Sequence, residues 1–242
     1  MVTTGGGEPL TNPNASLDEH QGRVVAGIDL GAAVAFFLAC SLAEPTLDPV
    51  LRLGHGLSGV LMSAGYQFAC EGLALVVIMV LRGERPSSYG FTKRRIGTSL
   101  GLALVLAAIY DLALSWHKGA LLWVPLLRQP ATRMAIGARF PASGVGLAIT
   151  IAAWGVFEGF FGVFFARKLD RALGRDGRGW FSVGAIGFAV FNGLIHLAVG
   201  QGPQGFIWSL ASGYAIAVIQ AVTGNAWGSA LVQTLTNAVG RP

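Results

Sequence analysis

The sequence has little charge. Asp, Glu, Lys and Arg together make up 12% of the 242 residues, about half of the ~25% that is typical of soluble domains. That supply is too small to cover a water-facing surface, which excludes an ordinary soluble globular domain. Hydrophobic residues make up 53% of the chain, and the mean hydropathy is +0.59. These values predict an all-α fold, a polytopic transmembrane helical bundle.

Cysteine and the common metal motifs are also scarce. Cys40 and Cys70 both fall inside apolar segments, where we interpret them as small core residues rather than a disulfide pair. No CxxC or HExxH motif occurs in the sequence, so no metal ion or other cofactor is predicted. The net charge is +5, but the basic residues cluster between apolar runs. This pattern indicates membrane topology, and it predicts the lipid bilayer rather than nucleic acid as the partner.

Apolar runs follow a polar N-terminal stretch. Residues 1–22 are rich in Gly, Thr, Asn and Pro and are predicted to form a disordered tail, with the transmembrane domain at 23–242. A crossing helix needs about 20 apolar residues. About seven spans are therefore predicted, at residues 24–43, 57–81, 97–116, 144–166, 180–199, 204–223 and 225–240. The shorter run 120–127 is predicted to lie at the interface or to re-enter the membrane.

Basic loops predict the orientation. Two clusters lie on the same side if the helix count holds: Arg82, Arg85, Lys93, Arg94 and Arg95 in the first, and Arg167, Lys168, Arg171, Arg175 and Arg178 in the second. That side, together with the N-terminus, is predicted to be cytoplasmic. The loop 117–143 on the opposite side carries a smaller basic set, Lys118, Arg128, Arg133 and Arg139.

Glycine is abundant and regularly spaced. The 35 glycines include four pairs with a four-residue spacing, Gly27/Gly31, Gly97/Gly101, Gly155/Gly159 and Gly224/Gly228. Small residues at this spacing predict close helix–helix contacts in a membrane. A stripe of aromatic residues in the fourth run is interpreted as a lipid-facing surface rather than as a pigment or lipid site: Phe157, Phe160, Phe161, Phe164 and Phe165.

Ionisable side chains inside the apolar runs are costly, so they are candidates for function. They are Asp29, Glu71, Asp111, Glu158 and His196. Glu158, His196 and Asn237 fall on three separate predicted helices of the second half. A carboxylate and an imidazole can together deprotonate water, and an amide can donate to an oxyanion. These residue types fit peptide hydrolysis without a metal, whereas polar helix packing is the alternative interpretation.

Four segments carry a resemblance to a known family. They are RGERPSSYGFTKRRIGTSLGLALVLAA (82–108), VFEGFFGVFFARKL (156–169), FNGLIHLAVG (191–200) and GYAIAVIQAVTGNAWGSALVQTLTNAVG (213–240). In this order they resemble the CPBP family, which contains the type II CAAX prenyl endopeptidases and the bacterial Abi-type intramembrane proteins. The resemblance covers residues 80–240 and rests more on layout than on intact motifs. It implies an integral protein of a bacterial inner (plasma) membrane.

The first family motif, two adjacent Glu followed by x-x-Phe-Arg, fits in two registers. With Glu158 as the second Glu, Phe161 takes the motif Phe, which favours this register, but Phe157 stands at the first Glu. With Glu158 as the first Glu, Gly159 stands at the second and the motif Phe is lost. The motif Arg is absent in both registers.

The other two motifs are partly kept. His196 fits the His of the second motif, although Asn192 stands at its Phe. Asn237 fits the third motif, while Gln233 replaces its His. The resemblance implies that the first Glu and the His activate water and that the last two positions stabilise the oxyanion. The candidate catalytic residues are therefore Glu158, His196, Asn237 and Gln233.

Several interpretations stay open at this point. The first is an intramembrane glutamic endopeptidase. If Glu158 is the second Glu of the motif, the general base is missing, and its absence would lower the rate roughly 10²–10⁴-fold. The second, which the motif losses favour, is a non-catalytic accessory or scaffold subunit that binds a membrane-protein or peptide partner. A transporter using Asp29, Glu71 and Asp111 as a proton path is a third.

The predicted topology also separates the candidates in depth. His196 and Asn237 are predicted near the non-cytoplasmic ends of their helices, with Glu158 fourteen residues from that side. At ~1.5 Å per residue, Glu158 is expected roughly 15 Å deeper than His196. The two side chains are then expected to meet only if a helix is broken or tilted, and the glycine-rich segment 184–193 makes a break plausible.

Overall fold

The computed structural model describes residues 13–51, 56–120, 133, 135 and 137–237, and these residues form helices and connecting turns without a strand. The helices are α1 (Pro13–Leu51), α2 (Gly56–Arg82), α3 (Ile96–Lys118), α4 (Ala142–Ala172), α5 (Val183–His196), α6 (Gly202–Thr223) and α7 (Trp227–Thr236). Five segments of the described chain are long and apolar enough to cross a membrane. The all-helical fold class is therefore confirmed.

The last of these five segments, Val183–Thr223, consists of two antiparallel helices. The chain turns at Gly200 and Gly202, whose φ angles of 82° and 68° suit glycine. Beyond the turn α6 folds back and packs closely on α5. A Cβ on Gly213 of α6 would lie 3.2 Å from Ala189 Cα of α5. The two helices coincide closely with the predicted segments 180–199 and 204–223.

The C-terminal helix α7 is much shorter than predicted. Its ten residues, Trp227–Thr236, span about 15 Å, half of the ~30 Å hydrocarbon core. The seventh span at 225–240 is therefore not confirmed, and residues 238–242 lie outside the described part of the chain. The run 120–127, apart from Ala120, lies outside it as well.

Helix α1 begins at Pro13, inside the stretch predicted as a disordered tail. Proline is tolerated in the first turn of a helix, where its missing N–H has no intrahelical partner to lose. One turn further on, Arg23 Nη2 donates to Glu19 Oε1 at 2.5 Å, an (i, i+4) ion pair that supports an exposed helix.

The two basic loops meet at one end of the bundle, which we call the basic end. The Asn225 side chain, fully buried between α6 and α7, donates to the carbonyls of Thr92 and Arg94 at 2.8 Å each. Next to it, the Ala226 N–H donates to Gly90 O at 2.9 Å. These bonds join the α2–α3 loop to the start of α7. The second basic cluster lies at the same end, because its Lys168 donates to Glu84 of the α2–α3 loop at 2.8 Å.

A buried ion network holds α1, α2 and α4 together near the basic end. Lys168 Nζ donates to Asp29 Oδ2 and to Glu84 Oε1, both at 2.8 Å. Arg82 donates twice to Asp29 Oδ1, at 2.9 and 3.0 Å, and Tyr89 donates to the Glu84 carboxylate. Asp29 is buried at 3% exposure between these two cations.

The predicted lipid-facing aromatic stripe on α4 is wrong for four of its five members. Phe160, Phe161, Phe164 and Phe165 are all buried. They are enclosed because α4 is the central helix and contacts α1, α2, α5, α6 and α7. Phe165 stacks on Phe191 of α5 with centroids 4.9 Å apart, and Phe161 stacks on Phe37 of α1 at 5.1 Å. Such ring pairs contribute about 0.5–1.5 kcal/mol beyond their burial.

Close helix packing is confirmed for some of the predicted glycine pairs. Gly155 and Gly159 of α4 pack against α7. A Cβ on Gly155 would lie 2.0 Å from Thr234 Oγ1 of α7, and a Cβ on Gly159 would lie 3.0 Å from Ala230 Cα of α7. In contrast, Gly97 and Gly101 have no described neighbour within 4 Å of such a Cβ. Gly228 of α7 lies against a backbone atom of α3, which gives a test of this packing.

Replacing Gly228 by alanine is expected to destabilise the bundle by about 1–3 kcal/mol. The new Cβ would lie 2.3 Å from Ser99 O, a backbone atom of α3 that cannot rotate away. Gly101→Ala, one turn along α3, is the matched control and is expected to leave stability unchanged or raised, since its surroundings are open. Thermal unfolding of both variants in the same detergent provides the measurement. Equal melting temperatures would contradict the α3–α7 contact.

Candidate functional site

Two π-helical segments lie against each other in the middle of the bundle. One is Ala69–Leu73 in α2 and the other is Ala152–Phe157 in α4. They are in contact, because a Cβ on Gly72 would lie 3.3 Å from the Phe157 ring. That ring also packs edge-on against Phe68, the residue before the first segment, with centroids 4.8 Å apart. A π turn locally widens a helix and redirects its side chains, and such turns are frequent at functional sites. Each segment here accompanies one buried carboxyl group.

Glu158, the first residue after the second π segment, is bound by α7. Asn237 donates through Nδ2 to Glu158 Oε2, and through the same nitrogen to Trp154 O at 3.0 Å. The Gln233 side chain is also within hydrogen-bonding range of the Glu158 carboxylate. Residues 233 and 237 share one face of α7 because they are one turn apart. Three of the four predicted site residues are therefore brought together.

Glu71, in the first π segment, adds a second carboxyl group to this cluster. It is 7% exposed and interacts electrostatically with Glu158 across the α2–α4 contact. Gln67, one turn earlier on α2, hydrogen-bonds to it. The Oε2 atom of Glu71 is buried and has no hydrogen-bond partner among the described residues. The motif comparison did not place Glu71 in this site, although its position deep in an apolar run was visible in the sequence.

His196 lies at about the same depth as Glu158. Glu158 is fourteen residues before Ala172, and His196 is thirteen residues after Val183. Those two helix ends are joined by residues 173–182 at the basic end. At ~1.5 Å per residue, both residues lie roughly 20 Å from that end. The predicted offset between them is therefore wrong.

Contacts between α4 and α5 agree with this depth. A Cβ on Gly184 would lie 2.0 Å from Ala166 O, and one on Gly162 would lie 2.5 Å from the Phe188 ring. Continuing this antiparallel register brings His196 level with the second π segment. The prediction measured depth from the non-cytoplasmic ends of the helices and so took those ends to be level, whereas α4 with its π segment has 31 residues and the chain turns back at Gly200 soon after α5.

Asn237 reaches Glu158 for a related reason. Helix α7 starts at the basic end and ends after about 15 Å. Its C-terminal residue therefore stops at the middle of the bundle rather than at the opposite surface. Because α7 has half the length of a crossing helix, Gln233 and Asn237 lie at the depth of the Glu71 and Glu158 carboxyl groups.

The remaining candidates lie elsewhere. Asp29 belongs to the ion network near the basic end. Asp111 of α3 has a buried Oδ1 that finds no hydrogen-bond partner within the described ranges, and Cys40 and Cys70 are free thiols. In the part of the chain that the structure describes, no three His, Cys, Asp or Glu side chains are grouped to hold a metal ion.

The cluster can therefore supply two carboxyl groups and two side-chain amides from α2, α4 and α7, with an imidazole at the same depth on α5. This set is suited to moving a proton and to donating hydrogen bonds to a polarised oxygen. No protein-family model, curated protein or solved structure matches the chain.

Proposed function

We propose that this chain is an intramembrane hydrolase of the glutamic type, which cleaves a peptide bond with water activated at the Glu158–Glu71 pair. The observation that supports it is the hydrogen bond from Asn237 to Glu158, with Gln233 and Glu71 gathered at the same carboxylate. Carboxyl groups in hydrocarbon are expensive, and where they occur they mark reaction or transport sites.

The surroundings of the two carboxyl groups suggest different roles. Glu158 receives hydrogen bonds from two amides, which stabilise its charged form. Glu71 has an oxygen without a described donor beside it. Two negative charges this close in a buried site repel strongly, so the pair holds one proton between them. In the proposal Glu71 carries that proton and Glu158 is the base.

The reaction then follows from these assignments. Water attacks the peptide carbonyl carbon as Glu158 accepts the proton that water loses. The C–N bond breaks, and Glu71 gives its proton to the leaving nitrogen. The proton on Glu158 returns to Glu71, which restores the starting state. The amides of Gln233 and Asn237 stabilise the oxyanion. To do so, Asn237 exchanges one of its two present hydrogen bonds for a bond to the substrate oxygen. His196 supplies a second proton acceptor.

The geometry bears on the choice of motif register. Under the resemblance to the CPBP family, the first Glu works with the residues of the last motif. Glu158 contacts Asn237, whereas Phe157 packs against Phe68. We therefore favour the register in which Glu158 is the first Glu, and the nearby Glu71 offsets the absence of the second.

The proposed membrane placement completes this function. The basic end and the N-terminus face the cytoplasm of a bacterial plasma membrane, as the positive-inside rule predicts. Six helices cross and α7 enters half-way, which puts the carboxyl pair near the bilayer midplane. The substrate is then a membrane-spanning or membrane-anchored peptide, and this peptide is the proposed partner.

Cleavage by the purified protein tests the proposal. Wild type, Glu158→Gln and His196→Ala are reconstituted in liposomes with fluorogenic transmembrane peptides. Glu158→Gln is expected to lower the rate roughly 10²–10⁴-fold because a general base is lost, with a smaller loss for His196→Ala. Asp111→Asn removes a buried carboxyl on α3 and is the control that keeps activity. Equal cleavage by wild type and both site variants, or none by any of them, would rule out the peptidase.

One observation favours the non-catalytic scaffold as a second candidate. The Asn237 amide is already bound by Trp154 O and Glu158, so the cluster ties α7 to α4 as well as forming a site. Gln233 also stands where the resemblance implies a His. Absence of cleavage by well-folded wild type would leave this partner-binding role as the better account.

A further inference from the structure

The basic end contains a cavity of about 640 Å³ between the loop after α2 and the end of α4. Its lining includes four arginines from three segments and two serines: Arg85, Ser87, Ser88, Arg167, Arg171 and Arg175. The volume lies in the ~300–1,000 Å³ range of small-molecule sites. The cavity is separate from the carboxyl pair, which lies deeper in the bundle.

None of the four arginines takes part in a salt bridge with a described residue. The other basic lining residue, Lys168, differs because it donates to Asp29 and Glu84. The lining holds five cations against three carboxylates, Glu84, Asp170 and Asp176, so the cavity carries a net positive charge.

The three acidic lining residues accept hydrogen bonds from groups other than the four arginines. Glu84 accepts from Lys168 and Tyr89. Asp170 accepts from the Ser182 hydroxyl at 2.7 Å and from the Gly184 N–H at 2.8 Å, and Asp176 accepts from the Arg178 N–H at 3.2 Å. Burial, together with the hydrogen bond to Glu84, raises the pKa of Tyr89, so its hydroxyl stays protonated and adds no negative charge.

The arrangement of the arginines goes beyond what topology requires. The positive-inside rule explains why basic residues lie near helix ends, but it does not explain why these residues line one cavity. Arg167 and Arg171 lie one turn apart on α4, and their like charges repel, although Asp170 attracts Arg167 and offsets part of that repulsion. An anion between them would remove that repulsion. The guanidinium fork also matches the oxygens of a phosphate group.

We infer that this cavity binds a phosphate ester, held by the Arg85, Arg167, Arg171 and Arg175 guanidinium groups with the Ser87 and Ser88 side chains beside them. The ester belongs either to an anionic lipid headgroup or to a soluble phosphorylated molecule, since both present the same oxygens. Basic pockets between helices on the cytoplasmic side are suited to lipid headgroups, and the volume admits more than a bare phosphate ion.

Binding to the full-length protein in neutral detergent tests this inference. The probes are dioctanoyl phosphatidic acid and glycerol 3-phosphate, with dioctanoyl phosphatidylcholine as a zwitterionic reference, and affinity is read by fluorescence titration. Arg171→Gln/Arg175→Gln is expected to weaken binding roughly tenfold or more because two charge-assisted contacts are lost. Lys93→Gln/Arg94→Gln makes the same charge change at the same end outside the cavity and is expected to bind as wild type does.

The outcomes separate the two sources of the ester. Binding of the lipid alone, lost in the arginine variant, assigns the cavity to a headgroup. Binding of both anionic probes, lost in that variant, assigns it to soluble phosphate esters. Failure of wild type to bind either anionic probe, or equal weakening in the two double variants, would overturn the inference.

Discussion

Glu71→Gln is expected to slow cleavage of a transmembrane peptide roughly 10²–10⁴-fold while leaving the fold intact. Glutamine has the size of glutamate but cannot give a proton to the leaving nitrogen. Loss of the carboxyl also removes the electrostatic interaction with Glu158, so the bundle is not expected to lose stability. The rate is measured in liposomes under single-turnover conditions, and the fold is checked by thermal unfolding.

A change of leaving group distinguishes a proton donor from a residue that only supports the packing. With an ester whose leaving group departs without protonation, the loss in Glu71→Gln is expected to shrink markedly. A structural defect would slow the amide and the ester equally. Asp111→Asn, the matched removal of a different buried carboxyl, is expected to cleave both substrates as wild type does. An identical loss on both substrates would remove the acid role from Glu71.

Lys168→Met is expected to destabilise the protein by about 3–5 kcal/mol, because it leaves the partly buried Glu84 carboxylate without its cation and the buried Asp29 with Arg82 alone. The Lys168 side chain is 4% exposed and bridges Asp29 of α1 and Glu84 of the α2–α3 loop. Methionine keeps most of the volume of lysine, so the loss is electrostatic rather than a cavity effect. Denaturation by increasing SDS in mixed micelles provides the free energy of unfolding.

Two further variants define the origin of that loss. Neutralising the partners as well, in Asp29→Asn/Glu84→Gln/Lys168→Met, is expected to recover most of the stability, since no buried charge is then unpaired and Arg82, whose side chain is 40% exposed, can be solvated. Lys118→Met at the exposed end of α3 is the control and is expected to change stability by less than about 0.5 kcal/mol. If the triple variant is no more stable than the single one, packing and not charge explains the effect.

The sequence predicted the long helices well because their signal is local. Each predicted segment from 57–81 to 204–223 falls largely on a helix of the structure, since a run of apolar residues specifies both a helix and its burial in lipid. The length of α7 was not predictable in this way. An apolar run shows which residues avoid water, but a helix that stops inside the bundle is apolar throughout its length as well.

The candidate site was predicted in part. Glu158, Gln233 and Asn237 were chosen from residue type and motif position, and they meet. Glu71 was missed as a member of the site because it lies 87 residues before Glu158, outside the resembling segments. The α2–α4 contact that joins them depends on two π turns, which alter helical phase without a distinctive residue pattern.

The half-length helix α7 has a consequence for synthesis in the cell. Asn237 follows Glu158 by 79 residues, and at ~5–20 residues per second translation needs roughly 4–16 s to cover that interval. During this time α4 has emerged, but its acidic side chain lacks the amide donors that later surround it. The proposed enzymatic competence therefore begins only after α7 has docked against α4.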